Sequence, residues 1–214
     1  MDRDSRHRRP QHHREEAAHR APDRGDWVRL EEIGDLHFEA SAYSSALEYY
    51  QRILGGHVPD GLDLEHVLTL ERKTIDAALN LGDLSLAQEL LAGAQSRVSE
   101  AVGLPEGARR LLAAPLQGRE AGLQVQRGAY AEALLNCKRA FAVLAVTDNH
   151  TEVANLQVTM GVCHHRLGRL DKAEEFYTDA LATFRRIGDD LGMAILYNNL
   201  ALLQKNACRW HRAL

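Results

Sequence analysis

Cysteine is scarce in this 214-residue chain: Cys137, Cys163 and Cys208 are odd in number, far apart and lack a C-x-x-C pair. That excludes a disulfide framework and a thiolate zinc site, and leaves three small apolar side chains expected in the core. No apolar run approaches the roughly 18 residues that span a bilayer. The amino terminus is rich in Arg and His where a signal peptide would carry its apolar core, so a cytoplasmic setting without a membrane partner is expected. Neither charge dominates, with 26 Lys and Arg against 30 Asp and Glu and a net charge of -4, so a global attraction to nucleic acid is not expected. No G-x-S-x-G, Walker-type glycine loop, H-E-x-x-H or dinucleotide glycine fingerprint occurs. Strand-like alternation is absent as well. The chain is expected to be neither an enzyme nor a cofactor carrier.

The first 24 residues stand apart. Seven Arg, four His and five acids fall there with almost no large apolar residue, which predicts a disordered tail. The rest of the chain keeps 19 of the 26 basic and 25 of the 30 acidic residues and is acidic. Metal binding through His7, His12, His13 and His19 lacks ligand spacing, and nucleic-acid contact through the tail arginines lacks interleaved aromatics.

From Trp27 onward the chain repeats itself, and a repeat changes the meaning of every residue inside it. The clearest unit, residues 154–187, carries Met160-Gly161, His164, Leu167-Gly168, Leu170, Ala173, Tyr177 and Ala180. An earlier copy has Gly34, Tyr43, Ala46, Tyr50 and Ile53, and the next has Ile75, Gly82, Leu84, Ala87, Leu91 and Ala94. A third has Ala121, Gly128, Tyr130, Ala133, Cys137 and Ala140, and a last one begins with Ala201, Cys208, Trp210 and Ala213. Small residues at these places let two helix backbones approach, and large ones fill the gaps beside them. Gly82-Asp83, Gly128-Ala129 and Gly168-Arg169 sit where helices must end. Asn149 followed by Glu152 predicts a capping box, and Pro59-Asp60-Gly61, within His57 to Asp63, predicts a loop.

This pattern resembles the tetratricopeptide repeat, over nearly everything after the tail. The resemblance implies an all-α, right-handed superhelical solenoid of antiparallel helix hairpins, with repeats near 27–56, 64–102, 108–147, 150–188 and 190–214. Ala46, Ala87, Ala133, Ala173 and Ala213 are spaced by 41, 46, 40 and 40 residues, beyond the family's usual period of about 34. The extra residues are expected to lengthen the helices. The last hairpin is expected to be incomplete, so that the chain reads as a piece of a longer protein. Self-association through that open end is the alternative.

In the family, the first helix of each hairpin lines a concave groove that takes a protein or peptide. The corresponding places here hold Glu31, Asp35 and Glu39, then Arg72, Asp76 and Asn80, then Gln126, then His165 and Arg166, and finally Asn198, Lys205 and Asn206. The implied groove is acidic early and rich in amides and cations late. Co-chaperone members grip a terminal carboxylate with Lys and Asn on one hairpin and Lys and Arg on another. Glu31, Asp35, Gly118 and Gly122 occupy those places, so that recognition is not implied. Cys163-His164-His165 is not a metal cluster, because adjacent helical residues point about 100° apart. His164 is instead expected to be a satisfied core histidine, with His37 equivalent. The likeness to bacterial signalling regulators implies the sensor or adaptor segment of a larger regulatory protein. A scaffold bridging two proteins without a switch is the alternative, and nucleic-acid contact through the tail is a third reading.

Overall fold

The computed structural model describes residues 24–55 and 62–211, with side chains described from Asp26 to Asn206. The Arg- and His-rich tail, Pro59-Asp60-Gly61, the side chains of Cys208 and Trp210, and Ala213 therefore lie outside the described residues. Every regular element among the described residues is a helix: α1 (Arg24–Glu39), α2 (Tyr43–Leu54), α3 (Leu64–Leu81), α4 (Leu84–Glu100), α5 (Glu106–Gln126), α6 (Tyr130–Leu144), α7 (His150–Arg166), α8 (Leu170–Ile187) and α9 (Asp190–His211). The all-α repeat expectation is borne out. The chain divides into two compact units, Met1–Leu70 and Glu71–Leu214, and the division falls inside α3.

In the first unit α1 packs on α2 around Trp27, Ala46, Tyr50, Ile53 and Leu70. Gly34 decides how close the two helices come, since a Cβ there would sit 2.6 Å from Cε1 of Tyr50. The ring lies where a side chain would otherwise be. Its hydroxyl then donates to Asp35 at 2.8 Å, which satisfies the polar end of the ring. Asp63 opens α3 by accepting the N–H of His66 at 2.8 Å.

In the second unit each helix from α4 onward packs on the next in sequence, and α5 also meets α7 while α7 meets α9. The first helices of successive hairpins thus lie side by side. Small side chains let the second helices sit close to the helices they pack on: Ala87, Ala94, Ala133, Ala140, Ala173 and Ala180 are all buried. The hairpin turns are closed by Gly82, Gly128 and Gly168 at φ of 78°, 77° and 72°, a left-handed conformation that side chains rarely adopt. Helices α4 to α9 run from 15 to 22 residues, so the long period is taken up in the helices. One joint is made by a side chain: Arg109 of α5 donates to the carbonyls of Val98, Ser99 and Ala101 at the end of α4. A cation there meets the negative end of the helix dipole. Pro115 lies buried inside α5, where it supplies no backbone N–H.

The capping box is only half formed. Asn149 accepts the N–H of Glu152, but the Glu152 carboxylate turns to Arg119 and leaves the return bond unmade. Gly161 repeats the Gly34 arrangement, because a Cβ on it would overlap the Tyr177 ring. Gly161→Ala is therefore expected to lower stability by about 1–3 kcal/mol through overpacking. Gly93→Ala, in mid-helix with nothing within 4 Å, is expected to raise it by about 0.5–1 kcal/mol. Urea denaturation of both variants checks the contrast, and equal shifts would remove the Tyr177 contact as its cause.

Candidate functional site

The candidate site is the face presented by the first helices of the hairpins, and each unit carries its own portion. In the first unit, the Glu31 carboxylate lies 2.9 Å from Nε2 of His66, and that ring meets Trp27 edge-on at 4.9 Å. Asp35 is held by the Tyr50 hydroxyl. Glu39 is exposed at the end of α1. Two of the early acids are thus engaged within the first unit, Asp35 inside its own hairpin and Glu31 by His66 of α3.

In the second unit, charged groups from α3, α5 and α7 meet in one network. The guanidinium of Arg119 donates through Nε and Nη2 to both oxygens of Asp76, at 3.2 and 2.8 Å. Its Nη1 donates to Glu152, and Arg72 stands 3.9 Å from the same carboxylate. The side chains of Arg119 and Glu152 are 12% and 11% exposed, so the pair has little access to water. Burial works against the Arg119 charge, but Asp76 and Glu152 more than offset it and hold the guanidinium protonated well beyond its ordinary range. A bidentate fork of this kind fixes orientation as well as charge. Two glycines explain why Arg119 can reach both neighbours: a Cβ on Gly118 would stand 3.1 Å from Leu156 of α7, and one on Gly122 3.6 Å from Leu79 of α3. Gln126 adds a bond to the Leu79 carbonyl at 2.9 Å, while the Asn80 amide folds back onto Asp76 O at 2.8 Å.

The late residues gather where α7 meets α9. Nε2 of His165 lies 2.8 Å from the Asn206 amide nitrogen. Arg166, Asn198 and Lys205 are exposed beside it. His164 is a correction to the sequence expectation: it is buried and stacked on Phe176 at 5.4 Å, but its Nδ1 has no hydrogen-bond partner among the described residues. It is a packing ring rather than a satisfied one. His37 stacks on Tyr49 in the same way, at 5.3 Å. Among the described residues no cluster of three or more His, Cys, Asp or Glu could hold a metal ion, and no helix is long and apolar enough to cross a membrane.

Sequence reasoning missed Arg119 and Glu152. Glu152 carries a signal that reads as capping, and Arg119 sits outside the family's usual groove places, so only three-dimensional neighbourhood brings them together. It also passed over apolar residues on the same face, because it weighed only polar ones.

Two overlapping stretches, residues 112–186 and 152–214, match the sequence model of the tetratricopeptide repeat family. That part of the chain belongs to the family, whose repeat is a protein-interaction module. Among solved structures, a signal transduction ATPase with numerous domains and a tetratricopeptide repeat sensor from Pyrococcus horikoshii is similar at 14% identity and a TM-score of 0.60, over 88% of this chain and 28% of that one. BtubC from P. vanneervenii is similar at 22% identity and 0.54, over 78% and 65%. Aspartyl phosphate phosphatase F from Bacillus subtilis is similar at 10% identity and 0.60, over 87% and 47%. The chain thus spans less than two thirds of each of these proteins, and identities this low carry the fold alone. No curated protein matches the chain.

Two outcomes follow from the geometry. Arg119→Met leaves two carboxylates facing each other at low exposure, and is expected to cost about 3 kcal/mol, the low end for a broken buried pair because Asp76 remains 31% exposed. Adding Asp76→Asn is expected to recover part of that in urea denaturation, and no recovery would contradict the network. The second outcome concerns pH. Burial lowers the pKa of His164, with Arg169, Lys172 and Lys138 acting the same way against Glu175, and burial aided by Arg166 lowers that of His165. The unfolded chain therefore takes up these protons first. The stability involved is complete above the ordinary value of 6.5 and is lost as pH falls below it, down through the lowered values of the folded rings. Melting temperatures measured from about pH 7.5 down to about 5 should fall less steeply in His164→Phe, which keeps the stack and removes one titrating ring; an unchanged slope would exclude His164 as a source.

Proposed function

We propose that this chain is a protein- or peptide-binding repeat module that acts as the sensor or adaptor segment of a larger regulatory protein in the cytoplasm, and that it binds rather than catalyses. One observation carries the reading. On the first-helix face of the second unit, the central charges of α3, α5 and α7 are consumed by the Arg119 network. The late groups Arg166, Asn198 and Lys205 have no hydrogen-bond or ion-pair partner among the described residues and face solvent. Polar groups left in this state on neighbouring helices are available to a partner. Catalysis has nothing comparable to support it, since Cys137 and Cys163 are buried thiols whose pKa burial raises to about 12 and about 11, far from a reactive thiolate.

Within this reading, the late group on α7 and α9 is the contact surface, and the Glu31, Asp35, Arg72 and Asp76 side chains support the fold of their own units. A photo-crosslinking residue placed at Asn198 is expected to yield a discrete protein adduct in cells, whereas the same residue at the exposed Arg139 of α6 is expected to yield none. Adducts at Arg139 alone would move the binding surface to the second helices and overturn the proposal. A captured partner whose activity changes on binding favours the regulator, and one that is only tethered favours the scaffold.

A further inference from the structure

We infer that the strip shared by α7 and α9 docks an acidic, amphipathic helical segment of a partner protein. The inference rests on the binding-face reading above and adds the chemistry of the occupant. Leu191, Ile195 and Leu202 are 52%, 48% and 45% exposed. Spaced by four and seven residues, they share one side of α9, since such positions repeat on a helix face. Across the junction, Val158 and Val162 of α7 are half-buried against the core to which Leu196 and Leu203 of α9 belong. The His165 to Asn206 contact at 2.8 Å joins the two helices beneath the strip. The result is a run of apolar side chains long enough to receive several turns of a helix.

The rim decides what that helix carries. Arg166 and Lys205 border the strip as exposed cations, with Asn198 beside them. Among the described residues neither helix places an acid on this side. Glu152 of α7 is taken by Arg119, and Asp190 lies in the first turn of α9, well round the helix from Ile195. An apolar floor with a positive rim attracts a partner whose own rim is negative, and the match sets association rate and specificity. A second copy of this strip would bring Arg166 and Lys205 against their own kind. The chain's amino-terminal tail, with seven Arg, carries the wrong sign as well.

The test uses the 214-residue chain and two labelled synthetic peptides of about 18 residues, a length of five helical turns. Both have Leu along one face; one has Glu on the remaining surface and the other Lys. Fluorescence anisotropy is expected to give a micromolar Kd for the Glu peptide and at least tenfold weaker binding of the Lys peptide, with the Glu affinity falling severalfold as salt rises to about 0.3 M. Leu202→Glu should weaken the Glu peptide at least tenfold and Lys205→Glu about fivefold, each with unchanged helicity by circular dichroism. Equal binding of the two peptides, no binding below about 1 mM, or indifference to both substitutions would overturn the assignment. So would a dimer in sedimentation that Leu202→Glu dissociates, because the strip would then belong to a second copy. If the peptides fail while a crosslinker at Asn198 still captures a protein, only the acidic amphipathic chemistry falls. If both fail, the binding face itself falls.

Discussion

Close approach of two helix backbones over a missing side chain is the constraint on which the rest of this structure depends. At Gly34 and again at Gly161, an aromatic ring from the following helix occupies the space a Cβ would need. Ala46 and Ala173, on those same second helices, are fully buried. A small residue on one helix and a large one on its partner fix both distance and rotation, because the ring fits in one orientation only. In the second unit each hairpin keeps a second apolar side, and stacking covers it with the next hairpin. Stability then accumulates as a series of neighbour terms without a single centre.

The same closeness generates the electrostatics. Gly118 and Gly122 take no space between α5 and its neighbours, so Leu156 and Leu79 come up against the α5 backbone. Arg119 is thereby carried within reach of Asp76 on one side and Glu152 on the other. Three hairpins are tied through one guanidinium. Burying such a pair is worth little in net stability, since desolvation offsets most of the attraction, but breaking it strands a charge. Its effect is on geometry: the spacing of α3, α5 and α7 has one arrangement in which every charge is met. Glu152 also shows how one residue can satisfy a local rule in part and a tertiary one in full. Asn149 still caps its N–H, while its carboxylate, which the local box would have used, goes to Arg119.

Much of this was legible in the chain because the repeat is a local code. The alanines at 46, 87, 133 and 173 and the turn glycines at 82, 128 and 168 announce helix contacts and helix ends from spacing alone, and both are where the code puts them. The first hairpin departs from it: its turn uses Ser41 at φ 58°, a position where the other hairpins place glycine. The face was less legible. Spacing names which side of a helix looks outward, but it does not say which charges on that side have already found each other across a neighbouring helix. Asp76 and Arg72 read as ligands in the sequence and as structural partners in the fold, and nothing within α3 distinguishes the two roles. His164 illustrates the converse, since its burial follows from its place in the repeat while its orphaned Nδ1 depends on what the neighbouring helices happen to supply.

A consequence for recognition follows from where the charges are spent. A face in which the central acids and bases neutralise one another offers a partner no charge there without first breaking a network. Discrimination between partners must then come from the part of the face where polar groups have no internal claim and apolar groups are not covered. In the second unit that condition is met where α7 meets α9: Arg166 and Lys205 stand unpaired among the described residues, and Leu191, Ile195 and Leu202 lie open. Cations alone would bind acids loosely, and apolar groups alone would bind any greasy helix. Together they demand both properties of one partner, and a demand of that kind separates one helix from another more sharply than either feature does.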